Sequence, residues 1–254
     1  MKNQISESKM VRRLSALWAA LRHPALLMQT IRIAVDFLYV SRKIKTSKIK
    51  EVKISEIIKN FEEVKFFNPF TRDGGVSYLE LISICSLVKA SKAKHILEIG
   101  TFEGNTTLQL ALNSTNEAVV HTLDLPPGTI DTVKPTLLTD FKYITDQNKL
   151  DRKYSSHSCA NKVVQHLGDS TTYDFKNFIK DNLLDFIFID GGHSYECVRS
   201  DTEKALKVLS KNGIILWHDF TPNFQGVYKY LNELANTAKL YHISGTTMVY
   251  FKNT

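Results

Sequence analysis

A chain of 254 residues, 43% apolar and 23% charged, is long enough to bury one α/β core with an appendage and lies inside the globular range of composition. No run of about eighteen uncharged apolar residues occurs, which excludes an unambiguous membrane span on sequence grounds. The formal net charge of +7 is uneven, because residues 1–50 hold eleven Lys/Arg against only Glu7 and Asp36. The rest of the chain is nearly neutral, so the high pI describes an extension and argues against a nucleic-acid partner. Cys85, Cys159 and Cys197 are widely spaced and form no CxxC pair, which reads as reduced thiols in a cytoplasmic protein.

Residues 1–50 are expected to form a basic helical extension, with the domain proper at 51–254. Leu14, Leu17, Trp18 and Leu21, then Leu27, Ile31, Ala34, Val35 and Leu38, follow helical spacing on either side of Pro24, with arginines interspersed. Over residues 10–45 such a segment suits peripheral membrane association through anionic lipid. It suits equally an arm packed on the body or on a second subunit of a homo-oligomer. Ile54, Ile57, Ile58 and Phe61 predict a helix over 51–66, and Leu81, Ile84, Cys85 and Val88 another over 78–90. Strands are then predicted at 95–99, 119–123, 163–167, 184–189, 214–217, 240–243 and 248–251, with helices at 105–113, 195–210 and 225–236. This alternation indicates a Rossmann-like, doubly wound, mostly parallel α/β sheet of seven strands. The last two strands are joined only by Ser244–Thr247, which demands a hairpin and an antiparallel final strand.

The densest motif is HILEIGTFEGNTTLQLAL, residues 95–112. An apolar strand ends in Glu98-Ile99-Gly100, a turn follows, and Gly104 precedes an amphipathic helix. Glycines at such a bend let a ligand approach the backbone at the carboxyl end of the strands. Phe102 stands where the dinucleotide fingerprint has its second glycine, which disfavours a pyrophosphate and hence NAD. Asp124 ends the next strand, where an acceptor-only side chain suits a ribose diol.

The run EIGTFEGNT resembles the first motif of S-adenosylmethionine-dependent O-methyltransferases of the catechol and caffeoyl-CoA type, and residues 74–251 resemble the bacterial small-molecule and sugar methyltransferases related to them. The resemblance implies S-adenosylmethionine as cofactor, with Glu98, Gly100, Thr101 and Gly104 along its methionine and ribose portion and Asp124 on the ribose. It places Asp169 and Ser170 near the adenine and Gly75, Val76 and Ser77 near the methionine end.

A second dense region, residues 183–220, delivers Asp190, His193, His218 and Asp219 to the ends of two consecutive strands beside that pocket. Ser194 is a plausible N-cap for the helix between them, and Gly213 its terminator. Neutral His and ionised Asp also suit a divalent metal. In the catechol-type enzymes the metal-holding positions fall on Asp190, His218 and Asp219, and the family's lysine base falls on His193. Histidine at two of these positions departs from the family pattern and leaves three mechanisms open. His193 acts as the base, a metal acidifies the acceptor hydroxyl, or the four residues only position a small-molecule or saccharide acceptor.

Residues 126–161 exceed an ordinary strand connection and read as an acceptor-covering insert bearing Phe141, Tyr143 and Tyr154. Tyr195 and Trp217 are candidates to stack on an acceptor ring or to pack in the core. Two other readings compete: an enzyme of different chemistry on the same fold, such as a hydroxylase-type or nucleotide-sugar enzyme, and a non-catalytic membrane or assembly module.

Overall fold

The computed structural model describes residues 28, 47–71, 74–126, 129, 140, 143, 144, 152–178 and 183–254. The amphipathic run expected at 10–45, with its membrane or subunit contact, lies outside these residues apart from Met28. No helix among the described residues is long and apolar enough to cross a membrane.

The elements are β1 (Lys50–Val52), α1 (Ile54–Ile57), α2 (Tyr78–Ser91), β2 (His95–Ile99), α3 (Asn105–Asn113), β3 (Val119–Asp124), β4 (Val163–Leu167), β5 (Leu184–Ile189), α4 (Tyr195–Val208), β6 (Leu209–Trp217), α5 (Gln225–Leu234), β7 (Tyr241–Ile243) and β8 (Val249–Lys252). They form one eight-stranded sheet in the order β1-β7-β8-β6-β5-β2-β3-β4. Every pairing is parallel except those of β8, which runs antiparallel to both β6 and β7. The hairpin expected at Ser244–Thr247 therefore sets the direction of the last strand.

Strand side chains alternate between two cores. Leu97, Ile99, Ile187, Ile189, Ile215 and Trp217 face α4 and α5 through Val198, Ala205, Val227 and Leu231. Ile96, Phe186, Phe188, Ile214 and Leu216 face α2 and α3 through Leu81, Ile84, Val88 and Leu108. Covering both faces explains why the strands read as continuous apolar runs. Each such fully buried side chain contributes about 1.5–3 kcal/mol.

Three sequence expectations change. The helix expected over 51–66 reduces to the four residues of α1, because Ile58 caps it in an extended conformation and the following residues to Glu63 are exposed. The residues before it form β1, paired with β7, which adds an eighth strand to the seven expected. Gly213 does not terminate a helix: α4 ends at Val208 and Gly213 lies within β6.

Register fixes the site. Ile99 is paired with both Leu123 and Ile189, and Ile189 with Trp217. The residue following each strand position (Gly100, Asp124, Asp190 and His218) therefore emerges on one rim. The rim spans β2 and β5, where chain progression along the sheet reverses, the place where open α/β sheets bind ligands.

Candidate active site

A cavity of about 540 Å³ opens on this rim, within the usual size of small-molecule sites. Gly100, Asp124, Asp169, Ser170, Asp190, His193, His218 and Asp219 all line it, and Gly75 joins them from the segment before α2. Glycine is required at 100: φ is +97°, and a Cβ there would lie 2.1 Å from the Asp190 carbonyl oxygen.

The other expected cofactor residues stand back from the cavity. Glu98 is fully buried; its Oε2 accepts from the Thr107 hydroxyl and, at 2.7 Å, from that of Thr122. Burial pushes the Glu98 carboxyl up to about 8, against these two hydrogen bonds. Thr101 is buried, its hydroxyl 2.6 Å from that of Thr122. Gly104 caps α3 with φ +74° and packs under Tyr154. Val76 is core, and Ser77 is the N-cap of α2, accepting from the Glu80 backbone N–H. These residues shape the loop from behind.

Asp124 is held by its surroundings. Its Oδ1 accepts from Leu125 N–H at 2.9 Å, and its Oδ2 from Phe102 N–H at 3.0 Å and Arg152 Nη2 at 3.2 Å. Burial moves its pKa up, opposed by Arg152 and the two amides. A diol reaching Asp124 must share it with Arg152, a residue the sequence did not single out. Asp169 Oδ1 accepts from the backbone and hydroxyl of Thr171 at 2.8 and 2.7 Å, which places its turn on the cavity wall.

At the other end of the cavity two histidines lie among four carboxylates. His193 Nδ1 is 2.8 Å from Asp140 Oδ1, and its Nε2 is 2.8 Å from Asp219 Oδ2. His218 Nδ1 is 3.0 Å from Asp190 Oδ1 and 3.3 Å from Asp219 Oδ2. Its Nε2 is 3.3 Å from Glu80 Oε2, within ion-pair range though not aligned as a hydrogen bond. Burial alone would lower both imidazole pKa values. The facing carboxylates, Asp140 and Asp219 for His193 and chiefly Asp190 for His218, outweigh it and hold both well above 6.5. Asp219 takes a left-handed conformation, φ +60°, in placing its carboxylate between the two rings.

This arrangement bears on a metal. Ligand atoms of Asp190, His193 and Asp219 lie within 4.8 Å of one another, a spacing that an ion would bridge. Yet three of the four histidine nitrogens are hydrogen-bonded to carboxylates, which only accept, so these three turn a hydrogen where a metal needs a lone pair. The implied set Asp190, His218 and Asp219 does not fit a metal as arranged. Protonated imidazole supplies the positive charge instead.

Besides Arg152, three contributors were missed in the sequence. Asp140 comes from the insert, Glu80 is buried as the third residue of α2, and Phe224 stacks on His193 at 4.3 Å between ring centroids. The capping-box spacing Ser77-x-x-Glu80 was the only local signal for Glu80. The insert covers the cavity through Asp140, Tyr143 and Ile144. Phe141 falls outside the described residues, and Tyr154 packs instead on the cofactor loop, bonding Gln165 at 2.5 Å. Trp217 is core, its indole N–H bonded to Thr202, and Tyr195 bonds Glu233 at an exposed position, so neither lines the cavity.

Residues 97–220 match the family profile described as a methyltransferase domain. Over these residues, just under half of its length, the chain is similar to methyltransferase domains. Solved structures share its fold. An O-methyltransferase from Bacillus cereus in complex with S-adenosylhomocysteine is 22% identical, with a TM-score of 0.51 over 72% of this chain and 84% of that one. The O-methyltransferase TomG from Streptomyces achromogenes, of tomaymycin synthesis and in complex with S-adenosylmethionine, is 16% identical, with a TM-score of 0.50 over 87% and 96%. A methyltransferase from Podospora anserina bound to S-adenosylhomocysteine is 19% identical, with a TM-score of 0.51 over 71% and 80%. No curated protein sequence matches the chain. The matched residues include the glycine bend, Asp124 and, of the rim, Asp140, Asp190, His193, His218 and Asp219, while Glu80 lies outside them.

Proposed function

We propose that this methyltransferase domain transfers a methyl group from S-adenosylmethionine to a hydroxyl of a small-molecule or saccharide acceptor, with His193 taking the hydroxyl proton. The carrying observation is the shared cavity: Asp124 and the Gly100 bend stand on the same rim as His193 and Asp219. Among its described lining residues are five aspartates, 124, 140, 169, 190 and 219, against two imidazoles. A cavity so charged favours a cationic ligand such as a sulfonium. The solved relatives named above were crystallised with S-adenosylmethionine or its demethylated product.

The cofactor supplies a methyl carbon on a sulfonium, already a good leaving group. The chain has to fix the ribose, exclude water and hold the acceptor oxygen in line with that carbon, at roughly 3 Å. Asp124 is assigned to the ribose, Asp169 and Ser170 to the adenine side, and Gly100 to the close backbone approach. His193 accepts a proton only after releasing the Nε2 hydrogen it shares with Asp219. His218, clamped by Asp190, Asp219 and Glu80, provides fixed positive charge beside the acceptor oxygen. No step requires a metal.

The experiment is a screen of phenols, catechols and sugars with methyl-labelled S-adenosylmethionine, using wild type and His193→Ala. Label transfer that falls sharply in His193→Ala while cofactor binding persists supports the reading. Equal transfer by the two proteins removes His193 as base.

A further inference from the structure

Asp140 belongs to the segment between β3 and β4, is 7% exposed, and approaches His193 twice. Its Oδ1 lies 2.8 Å from the ring Nδ1, and its Oδ2 accepts from the His193 backbone N–H at 3.3 Å. One carboxylate thus fixes both the main chain and the ring of a single residue. Phe224 covers a face of that ring, and Nε2 points at Asp219, which lines the cavity. An ionised carboxylate has no hydrogen to give, so a 2.8 Å contact to Nδ1 requires the hydrogen to sit on Nδ1. Whichever proton His193 exchanges must then be carried on Nε2.

We propose that Asp140 is the positioning residue of the proton acceptor: it locks His193 in the Nδ1–H tautomer and aims Nε2 into the cavity. The inference rests on His193 being the base. As the acceptor O–CH3 bond forms and the C–S bond breaks, sulfur keeps the bonding electron pair and becomes a neutral thioether. The hydroxyl hydrogen passes to Nε2, which has first released to solvent the hydrogen it shares with Asp219. The resulting imidazolium is held between Asp140 and Asp219 and later loses its Nε2 proton to solvent. Asp140 reaches His193 from the segment that covers the cavity, so the same segment that shields the reaction supplies the orienting carboxylate. An acid that orients histidine by this route is worth orders of magnitude in turnover elsewhere.

The test is long-range 1H–15N NMR of the full chain labelled at histidine, with assignment by loss of the signal in H193Q. Wild type is expected to show a low-field, hydrogen-bonded Nδ1–H for His193. D140N should abolish or strongly shift it, and D140E should restore it in part. A D140N spectrum identical to wild type overturns the proposal. With the acceptor returned by the methyl-transfer screen, D140N is expected to lower kcat roughly 100-fold, leave KM within about two-fold, and cause no further loss when combined with H193Q. Undiminished kcat in D140N also overturns it. Undiminished turnover in H193Q overturns the base assignment itself, and the D140N spectrum tells that failure apart from failure of the Asp140 role.

Discussion

Glu80 and Thr247, far apart in sequence, are joined by two hydrogen bonds: Oε1 of Glu80 accepts from the backbone N–H and the hydroxyl of Thr247, each at 2.8 Å. Its Oε2 accepts from the Ser77 N–H at 2.8 Å and lies 3.3 Å from His218 Nε2. One acid therefore ties the start of α2, the entry to β8 and the charged histidine rim together. Burial would raise its pKa, but His218 and the amides of Thr247 and Ser77 pull it well below the carboxylate range.

Glu80→Gln keeps the shape and removes the charge. Its folded pKa is depressed, so its contribution is present above the unfolded carboxylate value of about 4 and is lost as pH falls through the folded value. At pH 7 the variant is expected to lose about 1–3 kcal/mol by urea unfolding. The gap to wild type should narrow in acid. An equal gap at all pH values contradicts the ion-pair role.

Asp201 behaves oppositely. It is fully buried on α4, among the described residues neither oxygen has a hydrogen-bond partner of good geometry, and burial pushes it up to about 7, against Ser170 and Lys204. Its folded pKa exceeds the unfolded value, so stability falls as pH rises from about 4 to about 7, with the full cost present above that window. Asp201→Asn should gain about 1–3 kcal/mol relative to wild type at pH 8 and much less at pH 5, by urea unfolding. An advantage that does not grow with pH contradicts the assignment.

Much of this architecture was legible in the chain. Buried parallel strands are largely apolar runs, so 95–99 and 184–189 show locally, and the short link at 244–247 shows the antiparallel turn. What failed depends on distant partners. Lys50–Val52 becomes a strand because β7 offers an edge, and Ile54, Ile57 and Ile58 keep helical spacing while only one turn forms. Asp190, His193, His218 and Asp219 announced themselves at strand ends. Asp140 and Glu80 did not: one sits in a long insert and the other looks like a helix cap, and neither has a local pattern that reveals an imidazole partner.

His193 is held well above its ordinary value of 6.5 by Asp140 and Asp219, against the effect of burial. A base must be neutral at Nε2, so turnover should climb with pH on a limb lying above 6.5. Asp219→Asn removes one of those carboxylates and should move the limb to lower pH. A limb unmoved by that change would place the titration on another group.

Dialysis against a chelator is expected to leave turnover unchanged, because the histidine nitrogens carry hydrogens toward carboxylates rather than lone pairs toward an ion. A loss of activity restored by added magnesium or manganese would show that a metal displaces those hydrogens.

The central assignment stands or falls on the ribose acid beside the glycine bend. Isothermal titration of the full chain with S-adenosylmethionine should give saturable heat, and Asp124→Ala should weaken binding roughly 10–100-fold, the equivalent of one charged hydrogen-bond acceptor. No heat from wild type at high ligand concentration, or equal affinity in the two proteins, would contradict it.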